Sequence, residues 1–279
     1  MSLHLRILRR LAITPGFRLL TRFRPLRGMG TALRGSLVDS PFRFALRELS
    51  PGCPLTTAYK VRGTDVSIAV RHQTPDIYVV DEIFSQREYE PPLQVDRLLQ
   101  VRRPLKVVDL GANIGLFGAF VLSLYPDSEI VAVEADASNA AVHEQTIAAN
   151  VREDSWELVV AYAGTTDGTV RFAPGSYATS HAAGEGEGID VPAVDAFRYL
   201  GDADFVKIDI EGGEWPILRD PRLRELGAAA IVLEYHRLGS SSPDPAAEAE
   251  RALVQAGYET RCSPIRPVSQ TGLLWGWRT

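Results

Sequence analysis

From Lys106 to Leu110 the chain reads Lys-Val-Val-Asp-Leu, a short apolar run that ends in Gly111-Ala112-Asn113-Ile114-Gly115. A continuous run of this length, bounded by turn residues, predicts a strand buried on both faces. The same texture recurs at 129–134 (EIVAVE), 157–163 (ELVVAYA), 204–210 (DFVKIDI) and 229–235 (AAIVLEY). Helical spacing of apolar residues separates these runs at 116–125, 137–150 and 244–256. Strand alternating with helix predicts an α/β fold with a doubly wound, mostly parallel sheet over 104–279. Two last strands, near 258–262 and 271–277, have no helical pattern between them and are expected to pair antiparallel at the sheet edge. Asp167-Gly168 predicts a hairpin turn into 169–173, and the glycine-rich stretch 174–188 predicts a mobile loop.

Upstream the texture changes twice. Residues 55–103 read as two short strands, 58–62 and 66–71, then a partly aromatic helical segment through Ile83, Phe84, Tyr89 and Leu93. This stretch is too small for an independent core and is expected to pack on the domain that follows. Residues 1–54 form a basic arm, expected to begin with an amphipathic helix carrying Leu3, Ile7, Leu8 and Leu11. Its first 47 residues hold ten arginines and one acid, Asp39, so the remainder carries −14 of the net −5. A helix packed on its own domain is the expectation, with weak contact to an anionic membrane surface as the alternative and no nucleic-acid partner.

Of the 279 residues, 45% are hydrophobic and 23% charged, which excludes disordered and fibrous chains. No apolar run approaches the roughly 18 residues of a spanning helix. The two cysteines, Cys53 and Cys262, exclude a disulfide scaffold and a thiolate zinc site, and fit a reducing, cytoplasmic setting.

In an open parallel sheet, ligands bind beyond the carboxyl ends of the strands. Acidic or small residues stand at each of these ends: Asp109 with Gly111, Asn113 and Gly115; Glu134; Ala161 to Gly164; Asp209 with Glu211; Glu234 with His236. The first turn reads Asp-x-Gly-x-Asn-x-Gly, so an acid precedes the glycines where a diphosphate would be repelled and a cation welcomed. Glu134 stands where a carboxylate can accept ribose hydroxyls. Together these suit S-adenosylmethionine, which carries an ammonium and a sulfonium and no phosphate. Two alternatives stay open: a nicotinamide-dependent oxidoreductase, because a strand-two acid also serves that cofactor, and a non-catalytic scaffold or membrane-docking protein that retains a cofactor fold.

The runs 107–115, Val133-Glu134, Asn150, 206–214 (Val-Lys-Ile-Asp-Ile-Glu-Gly-Gly-Glu) and Leu233-Glu234-Tyr235-His236 resemble the FkbM-type S-adenosylmethionine-dependent methyltransferases. Glu82-Ile83-Phe84 and Glu88-Tyr89 are similar to the segment that precedes the domain in that family. The resemblance covers about residues 75 to 262, with Ala135 where the family commonly has proline and Gly213 where it has alanine. It implies a seven-stranded, Rossmann-like class I methyltransferase sheet and O-methylation of a sugar, polyketide, peptide or other secondary metabolite. By position it implies that Asp109, Gly111, Ala112, Asn113 and Gly115 surround the methionine end of the cofactor. Glu134 and Ala135 would then flank the ribose, Ala161 and Tyr162 the adenine, and Asp209 the methyl group.

Methyl transfer to an alcohol benefits from a base. His236, beyond a strand end, and the Asp209/Glu211 pair are the catalytic candidates. His181 and Tyr177, in the 174–188 loop, and Lys207, whose side chain opposes Val206 and Ile208 on its strand, are candidates for substrate contact. Phe172 and Trp215 are candidates to shape the acceptor pocket, with core packing favoured for Trp215. Asp209, Glu211 and Glu214 invite a divalent cation, which is not favoured because no third ligand is evident; no metal is assigned. His4, His72 and His143 are assigned nothing.

Overall fold

A computed structural model describes residues 34–50, 52, 56–173, 181–182, 188–263 and 271–279. The first helix of the arm, Tyr177 and most of the 174–188 loop fall outside the described residues. In chain order the elements are α1 (Pro41–Leu49), β1 (Thr56–Lys60), β2 (Ser67–Arg71), α2 (Asp76–Val80) and α3 (Leu93–Gln100). Then follow β3 (Lys106–Leu110), α4 (Leu116–Leu124), β4 (Glu129–Glu134), α5 (Ala137–Ala149) and β5 (Trp156–Val160). An insertion holds β6 (Tyr162–Gly164), β7 (Gly168–Ala173), β8 (His181–Ala182) and β9 (Ile189–Asp195). The chain closes with α6 (Phe197–Leu200), β10 (Phe205–Ile208), α7 (Glu214–Arg219), β11 (Ala230–Tyr235), α8 (Pro245–Gln255), β12 (Glu259–Cys262) and β13 (Gly272–Trp277).

Seven strands form one sheet in the order β12-β13-β11-β10-β3-β4-β5. The five from β11 to β5 run parallel, while β13 is antiparallel to both its neighbours, as expected of the edge pair. The chain runs outward from β3 to β5 and returns on the other side of β3 as β10. The switch point of the sheet is therefore the crevice between β3 and β10, at their carboxyl ends. Alternation sorts the strand side chains onto two cores: Val107, Phe205, Ala230 and Val232 pack with α4, α5 and the upstream segment, while Val108, Val206, Ile208 and Leu233 pack with α6, α7 and α8. α5 begins where the Asp136 carboxylate caps the amides of Ser138 and Asn139.

Two expectations need correcting. The run 157–163 is not one strand. β4 ends at Glu134, which is the register partner of Val160, so the chain has no neighbour left in the main sheet beyond that point. Tyr162–Gly164 instead pairs with β9 in a second sheet of order β6-β9-β7-β8. Nor does Asp167-Gly168 close a hairpin, because β9 lies between β6 and β7, parallel to one and antiparallel to the other.

The upstream segment is fastened to α5 by polar side chains standing in for a missing strand. The Asn150 amide accepts from Ser67 N at 2.8 Å and donates to Ser67 O at 2.8 Å, and the Thr146 hydroxyl accepts from Ala69 N at 3.1 Å. At the end of β2, Arg71 forms a two-pronged ion pair with Asp76 (2.8 and 3.0 Å) and donates to Asn139 Oδ1 at 2.7 Å. Both charged residues are buried. Removing one partner of such a pair leaves the other charge uncompensated. Arg71→Met is therefore expected to lower the unfolding free energy by about 3–5 kcal/mol in urea denaturation; a change within about 0.5 kcal/mol, typical of a surface substitution, would show that the pair is not structural.

Candidate active site

Two turns with left-handed backbone face each other across the switch point. The first follows β3, with φ of 79° at Gly111, 48° at Asn113 and 83° at Gly115. The second follows β10, with φ of 51° at Glu211 and 98° at Gly212. They approach so closely that a Cβ on Gly111 would lie 1.7 Å from the carbonyl oxygen of Asp209, so only glycine fits there. A Cβ on Gly115 would likewise meet the buried His143 ring, whose Nδ1 lies 3.2 Å from the Asn113 carbonyl. Burial pushes His143 down to about 4, so it is a neutral prop under the turn.

Beneath both turns lies Lys207. Its register partner on β3 is Asp109, so the two side chains share a face of the sheet. The ammonium donates to Asp109 Oδ1 at 3.1 Å and to the Gly111 carbonyl at 3.0 Å, and stands 3.5 Å from Asp209 Oδ2. The Tyr89 and Phe117 rings flank it, each 5.8 Å away. Burial raises the Asp109 carboxyl despite the opposing pull of Lys207. Asp109 is fully buried, so its carboxylate neutralises Lys207 instead of facing a ligand. Gly115, too, lies behind the turn it shapes.

Above the turns is a cavity of about 260 Å³. Gly111, Ala112, Asn113, Glu134, Ala135, Ala161, Tyr162, Lys207, Asp209 and Glu211 all line it, which brings together most of the residues singled out in the sequence. Phe172 lines it as well, whereas Trp215 is core, its indole N–H donating to the carbonyls of His236 and Leu238. His181 has its backbone in β8; Tyr177 lies outside the described residues.

Glu134 ties the first turn to β4. Its carboxylate accepts from Asn113 N at 2.7 Å and Asp136 N at 2.8 Å, and burial pushes it up to about 7 against those bonds. At the other end, the Tyr89 hydroxyl, from the upstream segment, lies 3.2 Å from Asp209 Oδ2 and 3.1 Å from Glu234 Oε2. A π turn over Asp81–Ser85 brings Glu82 and Ile83 to the same wall. Burial, then the Asp209 charge, raises both Glu211 and Glu234.

His236 stands behind this wall rather than in it. Its Nε2 is 3.3 Å from Glu211 Oε2 and 4.0 Å from Asp209 Oδ1, and its Nδ1 is 3.3 Å from Glu214 Oε1. Burial opposes a charge on the ring, but Glu214, Asp209 and Glu211 outweigh it and push His236 up to about 10. The three acids thus favour the protonated ring, and His236 does not line the cavity.

A match to the Methyltransferase FkbM domain spans residues 109–260, more than half the chain. The chain belongs to the FkbM methyltransferase family. Its seven-stranded sheet is the class I methyltransferase fold, and the family sets aside a nicotinamide-dependent oxidoreductase. Among curated proteins none matches this FkbM methyltransferase. Among solved structures it is similar to the precorrin-6y C5,15-methyltransferase of Geobacter metallireducens, at 18% identity over 67% of this chain and 86% of that one, with a TM-score of 0.42. It is also similar to Aeropyrum pernix fibrillarin with natively bound S-adenosyl-L-methionine, at 13% identity over 66% and 73% and a TM-score of 0.40. The SAM-dependent methyltransferase of Agrobacterium tumefaciens is similar at 13% identity over 82% and 71%, with a TM-score of 0.47. No helix among the described residues of the FkbM methyltransferase is long and apolar enough to cross a membrane.

Sequence reasoning named Glu234 at a strand end without giving it a role, and named Tyr89 only within the segment similar to one upstream of the family domain; Tyr89 reaches Asp209 from 120 residues away. The raised Glu134 carboxyl gives a pH prediction. Its proton is held more tightly in the folded state, so its contribution to stability is complete below about 4.5 and is lost as pH rises through about 7. Relative to Glu134→Gln, the native protein is expected to lose about 3 kcal/mol of stability between pH 5 and 8. Parallel pH profiles of the two proteins in urea denaturation would contradict the assignment.

Proposed function

We propose that this methyltransferase moves the methyl group of S-adenosylmethionine to a hydroxyl oxygen of a small-molecule acceptor, free or glycosylated. One observation carries the reading: Glu82, Glu88, Glu134, Asp209, Glu211 and Glu234 line one cavity against one cation, Lys207, among the described residues. Such a lining disfavours phosphates and favours a cationic ligand. The residues present fit that cofactor. Glu134 retains lone pairs for ribose hydroxyls beyond its two short backbone bonds. Asn113 lines the cavity and its Oδ1 has no hydrogen-bond partner, so it is available to an ammonium. Ala135, Ala161, Tyr162 and Phe172 offer a narrow apolar slot for a base.

When bound, S-adenosylmethionine supplies an electrophilic methyl carbon on sulfur. The chain's own part is to position and to exclude water. Asp209, Glu234 and Tyr89 orient the acceptor hydroxyl. With the cofactor bound, the hydroxyl proton would pass to Glu211, beside His236, as the oxygen took the methyl group and the S–C bonding pair stayed on sulfur. The products are a methyl ether and neutral S-adenosylhomocysteine. We place the acceptor among small molecules rather than nucleic acids because the cavity wall is acidic and would repel a phosphate backbone.

Glu134→Ala removes a carboxyl hydrogen-bond acceptor from the ribose and is expected to weaken S-adenosylmethionine binding by about 1–3 kcal/mol in calorimetry, with unchanged circular dichroism. Unchanged affinity would count against the cofactor assignment. The oxygen assignment is tested by supplying methyl-labelled S-adenosylmethionine with a panel of polyhydroxylated and amine acceptors. Label recovered in methyl ethers supports it, and label recovered only on nitrogen refutes it.

A further inference from the structure

The helix α1 is turned the opposite way from an ordinary surface helix. Phe42, Leu46 and Leu49 recur at helical spacing, one turn apart, and are 80%, 58% and 56% exposed. The face that α1 buries carries Phe44 and Glu48 instead. The Phe44 ring packs against Tyr59 at 5.4 Å and against His72 at 5.0 Å. The Glu48 carboxylate accepts from Gln73 N at 2.9 Å and lies 3.2 Å from His72 Nδ1. With these contacts made, the apolar stripe faces away from the fold.

Arginines border the stripe. Arg43 and Arg47 stand four residues apart on its flank, and the Arg43 guanidinium lies 5.8 Å over the Tyr59 ring. Arg62 is beside the start of the helix, where it donates to the Val38 carbonyl at 3.1 Å. The one acid within α1, Glu48, is on the buried face with His72. Composition points the same way, since the first 47 residues hold ten arginines, no lysine and one acid, Asp39. A contiguous exposed apolar stripe marks an interaction surface. Three side chains fall well short of the about 800 Å² that each partner gives a stable protein interface. A shallow apolar stripe flanked by arginines matches the interface of an anionic bilayer instead, where apolar side chains enter the acyl boundary and guanidinium groups meet headgroup phosphates.

We infer that α1 docks the enzyme on an anionic lipid surface, with Phe42, Leu46 and Leu49 in the headgroup–acyl boundary and Arg43 and Arg47 on lipid phosphates. The chain beyond residue 47 carries a net −14, so such a surface repels the body and attracts the basic end, which favours one orientation. The apolar stripe makes the contact persist where salt screens the arginines. This inference goes beyond methyl transfer and does not depend on it: none of these five residues lines the acidic cavity.

The test is flotation of the full chain with vesicles of phosphatidylcholine alone and of phosphatidylcholine mixed equally with phosphatidylglycerol. Binding to the anionic vesicles only is expected, weakened by added salt and about tenfold or more in the triple variant Phe42→Ser, Leu46→Ser, Leu49→Ser. The four native tryptophans are buried, so Phe42→Trp is expected to add an emission that shifts to the blue on anionic vesicles. The triple variant is expected to keep the wild-type thermal midpoint and S-adenosylmethionine affinity. Absence of wild-type binding to anionic vesicles overturns the proposal. Equal binding by wild type and triple variant, or binding without the blue shift, also overturns it and leaves the charge of the arm as the cause. Without vesicle binding, a lower thermal midpoint of the triple variant would assign the stripe to the chain's own basic arm. A wild-type dimer that the triple variant loses, seen by light scattering, would assign it to a second copy; both results overturn the lipid assignment.

Discussion

A lysine buried under a glycine turn must be neutralised where it stands, and the pairing of Lys207 with Asp109 across β10 and β3 does this. The same ammonium donates to the Gly111 carbonyl and stands 3.5 Å from the Asp209 carboxylate, one on each of the facing turns. One charge thus contacts both loops that form the mouth of the switch point. Without it Asp109 would be an uncompensated buried carboxylate, a loss of about 3–5 kcal/mol. The close approach of Gly111 to the Asp209 backbone is the geometric expression of that bond network.

Around this fixed pair the site is assembled from opposite directions. Glu134 holds the first turn from the β4 side, by the Asn113 amide. The upstream segment closes the other side, where the Tyr89 hydroxyl meets both Asp209 and Glu234 and its ring packs edge-on against Phe117 at 5.4 Å. The segment is fastened to α5 through Arg71 with Asn139 and through Ser67 with Asn150. Residues that stabilise the fold and residues that shape the chemistry are linked through the same few hydrogen bonds.

The parallel strands were legible because buried strands are unbroken apolar runs, and the acids at their ends were legible because an open sheet binds ligands there. Hence Glu134, Asp209 and Glu211 lie at the cavity as read. Asp109 was read as a ligand contact because its partner is visible only through the register of β3 with β10, which the linear pattern does not contain. The strand alternation did show that Lys207 opposes Val206 and Ile208; which acid it meets is a tertiary fact. His236 was read from position alone, whereas its charge is set by Glu214, Glu211 and Asp209 folded around it. The insertion was misjudged for a similar reason, since β9 enters between β6 and β7 from more than 20 residues downstream. Gly213 also finds its reason in three dimensions: a Cβ there would meet the Tyr162 hydroxyl at 2.2 Å.

The central claim is that the acid-lined space between the two left-handed turns, above Lys207, receives the cofactor. A crystal structure of the chain with S-adenosylhomocysteine bound tests this most directly. The account predicts ribose hydroxyls against Glu134, the sulfur end beside Asp209, and Lys207 still bridging Asp109 and the Gly111 carbonyl. A ligand seated elsewhere, or a Lys207 ammonium swung out to contact it, would contradict the account.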